Sequence, residues 1–279
     1  SALFGAISGS AVATVSAVGG ITIPAMKKQG YGAPFASAVA SMASVLGPLV
    51  PPSITLIVYA SITEISVSKL FISSVIPALI LVTFLIVYML WYGKKHDLPA
   101  NERKSGKEIW ITIKKSIWAL LMPIGIVMGM RVGIFTPTEC AGICVLYSLF
   151  CGVFIYRRLK LEHIKKIVVE SVHSTASVLL ILSAASMFSR YMLWENIPQI
   201  GTNLLIKIAP NGTVFILIVL VFMLIMGMFL DTAAALVILP PLLIPVAKTL
   251  GVDVIHLGLV MVLMDTLGGV TPPFGVMMF

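Results

Sequence analysis

Apolar runs of roughly 20 residues, the length a helix needs to cross a bilayer core, follow one another along most of this chain, separated by short polar stretches. In order they predict crossings at 33–62, 69–91, 110–130, 138–156 and 174–192. None alternates apolar and polar positions as a barrel strand would, so every element is expected to be helical. The first crossing is interrupted: a run of small residues meets Gly47-Pro48-Leu49-Val50-Pro51-Pro52-Ser53 before apolar sequence resumes at Ile54. Prolines remove backbone donors and glycines relax φ/ψ, so this run is expected to unwind the helix at depth. Such backbone is tolerated there only when it is buried in protein or faces a polar cavity.

A second version of the break, Gly268-Gly269-Val270-Thr271-Pro272-Pro273-Phe274, lies 221 residues further on (272 − 51 = 221). The same offset relates Ser10 to Asp231, Pro24 to Pro245, Lys27 to Lys248, Gly30 to Gly251 and Gly47 to Gly268 without a gap. This is an internal repeat. It divides the chain into a first transport repeat at 1–62, connecting helices, loops and an interfacial arm at 63–210, and a second transport repeat at 211–279. In each repeat a re-entrant hairpin precedes the broken helix, with its tip at Ser8-Gly9-Ser10 in one and at Asp231-Thr232 in the other. The second hairpin's first arm, 213–230, shifted back by 221, would occupy −8 to 9, so the first arm is expected to begin before Ser1. The helix after Pro273 is likewise expected to continue past Phe279.

Five crossings separate Lys28 from Lys248, an odd number, so the two repeats are inverted. Basic residues support the same arrangement. Lys94, Lys95, Arg103, Lys104 and Lys107 fall in one loop region and Arg157, Arg158, Lys160, Lys165 and Lys166 in another; both are cytoplasmic by the positive-inside rule. That puts the first hairpin's mouth, with Lys27 and Lys28, inside and the second's outside. From Leu161, apolar Ile164, Ile167, Val168 and Val172 recur at helical spacing opposite Lys165, Lys166 and Glu170, predicting a surface helix ahead of the crossing at 174–192.

Composition sharpens this picture. The 279 residues are 59% hydrophobic and 11% charged, with mean hydropathy +1.07, which marks an integral membrane protein. A net charge of +8 would suggest nucleic acid in a soluble chain, but these cations sit in short loops between apolar runs, so lipid and not nucleic acid is the expected contact. Cys140, Cys144 and Cys151 share one predicted helix with no histidine at ligand spacing and are expected to pack as small residues. Ser1-Ala2-Leu3 shows no basic n-region, so no signal peptide is expected.

Two hairpins entering from opposite faces bring both tips beside both breaks, and one shared cavity is expected. Half-helix N-termini favour a carboxylate, and unwound carbonyls and hydroxyls favour a small cation. Ser8, Ser10, Thr14, Pro48, Val50, Thr232, Val270 and Thr271 offer oxygens of the kind sodium prefers. Asp231 follows an 18-residue apolar run (213–230), and an acid at such depth reads as functional or as the cap of the helix that begins at Thr232. Asp265, where the first repeat has Ser44 (265 − 221 = 44), reads as facing either a cation or a neighbouring helix. Arg131, expected at the outer end of its crossing, reads as an anion contact or as a snorkelling interfacial arginine. A channel has no need of closed hairpins. No His-Glu-x-x-His pair or nucleophile-elbow pattern supports an enzyme, and Asp231 at a tip argues against a purely structural subunit.

The motifs Ser8-Gly9-Ser10-Ala11-Val12-Ala13-Thr14, Pro24-Ala25-Met26, Gly30-Tyr31, Gly47 to Ser53, and Phe135-Thr136-Pro137-Thr138-Glu139 closely resemble the large membrane subunit of tripartite ATP-independent periplasmic (TRAP) transporters, in order and over essentially the whole chain. The resemblance implies an elevator-type transporter of the bacterial inner membrane that imports an organic acid, of the sialic acid or C4-dicarboxylate class, coupled to Na+. It also implies a small four-helix membrane subunit and a periplasmic binding protein as partners. A sodium/dicarboxylate-type symporter working without a binding protein is the alternative. Carried onto this chain, the resemblance implies cation ligands at Ser8, Ser10, Gly47, Pro48 and Val50 and, in the second repeat, at Asp231, Thr232, Gly268, Val270 and Thr271. Substrate is expected at Ser10, Ala11, Thr14, Pro52 and Ser53, and at Arg131, Thr232 and Pro273. Arg131 stands where many members are expected to carry a small residue, and no role follows for Glu139.

Overall fold

The computed structural model describes residues 1–96, 105–275 and 277, and all regular structure among them is helical. Helix α1 (Ala2–Ser8) leads to the first tip, after which α2 (Ala11–Thr14) passes through a wider turn at Val15–Gly19 into α3 (Gly20–Lys28). Next come α4 (Ala33–Ser44), the short α5 (Leu46–Leu49) and α6 (Ile54–Thr63). The axis bends by 40° between Ala33–Leu49 and Ile54–Thr63, at the break the prolines predict. The long α7 (Val67–Lys95), α8 (Gly106–Arg131) and α9 (Pro137–Phe150) follow. Of the first basic loop, Arg103 and Lys104 lie outside the described residues.

Helix α10 (Leu161–Trp194) differs from expectation, because the surface helix and the crossing after it are one uninterrupted helix of 34 residues. The stretch contains neither glycine nor proline, so nothing ends the helix where its polarity changes. At 1.5 Å per residue it spans about 50 Å, well beyond a hydrocarbon core of about 30 Å, leaving its charged first turns to project past the apolar part. Helix α11 (Ile197–Ile208) then turns by 112° into α12 (Gly212–Gly227), the first arm of the second hairpin. The return arm is α13 (Thr232–Ile238) and α14 (Pro240–Thr249), bent by 53° where Pro240 and Pro241 interrupt it. The last helix, α15 (Val254–Gly268), ends at the second break. Most of the expected continuation after Pro273 lies outside the described residues.

Val67–Lys95, Pro137–Ile155 and Glu162–Trp194 are long and apolar enough to cross a membrane singly, and three bent pairs qualify when each is taken as one span. Their outward faces carry large apolar side chains such as Ile76, Leu90, Leu146, Leu180 and Met187. Surface of that extent is covered by lipid or partner chains in a stable protein.

The core lies where the two repeats interlock. Tyr59 of α6, Phe215 of α12, Leu236 of α13, and Leu257 and Met261 of α15 are all fully buried. Tyr59 Oη donates to the Val254 carbonyl at 2.8 Å, and a Cβ on Gly258 would stand 2.3 Å from the Tyr59 ring. Only glycine lets α15 lie this close to the aromatic face.

Candidate functional site

The first tip is a knot of neutral oxygens. Gly9, in the left-handed region at φ 62°, ends α1, and Ser10 is extended, its Oγ accepting from the Ala13 amide to cap α2. Thr14 Oγ1 donates to the Ser10 carbonyl at 2.7 Å and lies 3.0 Å from Ser8 Oγ. The knot is pressed against the first break. Ile54 N donates to the Gly9 carbonyl at 3.4 Å, and a Cβ on Gly47 would lie 2.7 Å from the Ser10 carbonyl oxygen and 3.0 Å from Thr14 Oγ1. Gly47 therefore lets the first break lie directly against the Ser10 carbonyl and the Thr14 hydroxyl, oxygens of the kind that suit a hard cation. Pro48, also expected as a ligand, has a carbonyl that accepts from the Ser53 hydroxyl, while Ser53 Oγ accepts the Leu56 amide at 3.2 Å and so caps α6. Val50 is extended and half-buried, its amide donating to the Leu46 carbonyl.

The second tip is built on the same plan with different chemistry. Asp231 is exposed, and its Oδ1 accepts from the Ala233 amide at 2.9 Å, which is the capping role the sequence allowed. Thr232 is half-buried beside it. At the second break the Thr271 amide donates to the Gly268 carbonyl, and Thr271 Oγ1 donates to the Leu267 carbonyl at 2.9 Å; Val270 is half-buried. Cis peptide bonds occur at Pro51–Pro52 and Pro272–Pro273, equivalent positions in the two repeats. Asp265 is fully buried in the last turn of α15, and neither carboxylate oxygen has a hydrogen-bond partner. The Thr232 side chain stands beside it.

A cavity of about 140 Å³ joins all four parts. Its walls are Gly9, Ser10, Ala11 and Val12 of the first tip, Pro48, Ile54 and Thr55 of the first break, Leu230, Asp231, Thr232 and Ala233 of the second tip, and Gly269 and Met277 beyond α15. Ser10, Ala11, Pro48, Asp231 and Thr232 are thus brought to one space. Ser8, Thr14 and Gly47 stand directly behind Ser10. The Pro52 carbonyl would lie 2.8 Å from a Cβ on Gly9, and Ser53 is buried beneath the floor. Gly268, Val270 and Thr271 flank Gly269. Pro273 and Arg131 are exposed and do not line the cavity.

Sequence reasoning passed over Thr55, Ile54 and Met277 as wall residues. Thr55 had a signal, being a hydroxyl two positions past the break. Glu139 also has a place. It completes a capping box at the start of α9, its Oε2 accepting from the Thr136 amide at 2.7 Å while the Glu139 amide donates to Thr136 Oγ1 at 3.3 Å. This binds the Thr136-Pro137-Thr138-Glu139 motif to helix initiation, outside the cavity.

Paired hairpin tips, two unwound breaks and one cavity between them define the core of a membrane transport protein. Residues 1–279 match the family model described as tripartite ATP-independent periplasmic transporter, DctM component, and the chain belongs to that family. The C4-dicarboxylate TRAP transporter large permease protein DctM of Pseudomonas aeruginosa is 39% identical over 99% of this chain and 65% of its own length. The isethionate TRAP transporter permease protein DctMQ of Oleidesulfovibrio alaskensis is 36% identical over 99% of this chain and 44% of its own. The sialic acid TRAP transporter large permease protein SiaM of Vibrio cholerae is 33% identical over 100% of this chain and 65% of its own. The chain therefore spans about two thirds, or less, of the length of these relatives. Family and apolar helices together place it in the inner membrane.

Proposed function

We propose that this chain carries the transport site of a sodium-coupled secondary importer of an organic acid, working with a small four-helix membrane subunit and a periplasmic binding protein that delivers the substrate. The observation that carries this reading is the single cavity walled by both hairpin tips and both breaks. A site shared by inverted halves can be opened to either side of the membrane while its ligands keep their places, and elevator-type movement of the two repeats against the connecting helices achieves this. Cations are held by Ser8, Ser10, Gly47, Pro48 and Val50 on one side and by Asp231, Thr232, Gly268, Val270 and Thr271 on the other. The carboxylate meets the amides and hydroxyls at Ser10, Ala11 and Thr232, where half-helix N-termini converge. The substrates in the names of these three relatives are all organic anions, which supports the class and leaves C4-dicarboxylates and sialic acid as the ones to try first.

The test is uptake of radiolabelled succinate and, in parallel, sialic acid into proteoliposomes holding the complete membrane complex with its binding protein, with and without an inward sodium gradient. Uptake of one acid that requires both sodium and the binding protein is the expected result. Binding-protein-dependent uptake indifferent to sodium would remove the cation assignments and leave the breaks as anion contacts alone.

A further inference from the structure

We propose that Asp265 is the anionic ligand of the second cation site, so that this site binds sodium as the neutralising partner of a buried carboxylate whereas the first binds it through neutral oxygens alone. The inference rests on the sodium-coupled reading above and goes beyond it by assigning the charge.

A buried ionised carboxylate is costly unless it is paired or coordinates a cation. Asp265 has 0% exposure and neither oxygen accepts a hydrogen bond. Among the described residues the one ion pair within 4 Å is Lys166–Glu170, on the surface of α10, so no lysine, arginine or histidine there answers it. Protonation would remove the charge but leave a polar acid group buried with no hydrogen-bond partner, whereas a bound cation answers the carboxylate oxygens directly.

The surroundings favour a cation. Gly227 and Gly268 bring the C-terminal ends of α12 and α15 into backbone contact: a Cβ on Gly227 would stand 2.2 Å from the Asp265 carbonyl oxygen, and one on Gly268 would stand 2.4 Å from the Leu224 carbonyl oxygen. Helix C-termini carry partial negative charge, and here two of them meet beside a carboxylate. Hydroxyl oxygen is at hand from Thr232. Asp231, the more conspicuous acid in the sequence, is exposed and already caps α13. In the first repeat the position of Asp265 is taken by Ser44, whose hydroxyl is satisfied by the Ser41 carbonyl at 2.6 Å. The charge therefore belongs to the second repeat alone.

The experiment measures equilibrium ²²Na+ binding and thermal unfolding on the full-length protein in its membrane complex, without substrate, for wild type, Asp265→Asn and, as a control on the exposed face of α10, Glu170→Gln; N-methylglucamine replaces sodium in the reference buffer. Wild type is expected to show more than one bound sodium. Asp265→Asn is expected to lose one component, its affinity weakened by about tenfold or more, and Glu170→Gln to retain it. Asp265→Asn should also unfold at a higher temperature than wild type in sodium-free buffer, because the unpaired charge is gone, and should gain less from added sodium. Wild-type sodium binding by Asp265→Asn, or a lower sodium-free unfolding temperature, would overturn the assignment while leaving sodium coupling intact. Absence of saturable sodium binding by wild type would overturn the sodium reading itself, and this inference with it.

Discussion

The two repeats share a backbone plan and diverge in how they use polar atoms. In the first, Ser8, Ser10 and Thr14 bond to one another at the tip, Ser53 bonds to Pro48 at the break, and Ile54 ties break to tip through the Gly9 carbonyl. In the second, one acid caps the tip from an exposed position and another lies buried without a partner. An inverted repeat fixes where ligand groups can be presented, because tips and breaks follow from glycine and proline positions. It does not fix their charge, which a single side-chain change alters at no cost to the backbone. The halves of a transport site can therefore specialise electrostatically while remaining superimposable in form.

The glycines at the equivalent positions 47 and 268 test this division most severely. A Cβ on Gly268 would meet the Leu224 carbonyl and the Gly227 Cα, backbone within the packed arm of a hairpin; a Cβ on Gly47 would meet the Ser10 carbonyl and Thr14 Oγ1, at the end of a hairpin tip. Gly268→Ala is expected to separate α12 from α15 and destabilise the protein by about 1–3 kcal/mol or more, the usual range for overpacking, visible as a lower unfolding temperature or failure to assemble. Gly47→Ala is expected to push the Ser10 carbonyl and Thr14 hydroxyl aside at the tip, with a smaller loss of stability, and to lose sodium binding at the first site. Equal unfolding temperatures for the two variants would show that the repeats do not differ in this way.

Much of this architecture was legible from residue spacing, and its failures have physical causes. The offset of 221 placed both breaks and both tips correctly, because glycine and proline act on the local backbone whatever surrounds them. The boundary expected near residue 173 is absent because a change in polarity redirects a helix face without ending the helix, and 161–194 contains no breaker. Asp265 reads in sequence as facing either a cation or a neighbouring helix, with nothing local to decide between them. Its isolation arises from the approach of α12 through Gly227, some 40 residues earlier in the chain, which no local pattern encodes. Glu139 was opaque for the opposite reason, since its role is local but belongs to a helix start and not to the site.

A smaller effect is expected at the neutral site from Thr14→Val, which preserves shape and removes the hydroxyl linking Ser8 to the Ser10 carbonyl. One such bond contributes about 0.5–1.5 kcal/mol, so sodium affinity at the first site should fall by roughly threefold to tenfold. The component that depends on Asp265 should be untouched. Parallel loss of both components in ²²Na+ binding would mean that the two sites act as one, and would remove the contrast between them.

The smallest effect is expected at the joint between the repeats. Tyr59, in the half-helix after the first break, donates its hydroxyl to the Val254 carbonyl at the start of the helix that leads to the second break. The ring is fully buried against Gly258, so Tyr59→Phe keeps the packing and deletes one hydrogen bond. The expected cost is about 0.5–1.5 kcal/mol of stability, read as a modest drop in unfolding temperature, with both sodium components unchanged. The bond joins backbone and side chain outside either site, so it should set how firmly the halves are held together and not what each half binds. Weakened sodium binding in Tyr59→Phe without any loss of stability would show instead that site geometry depends on this contact, and that the two repeats are tuned through their shared core as well as through their own polar groups.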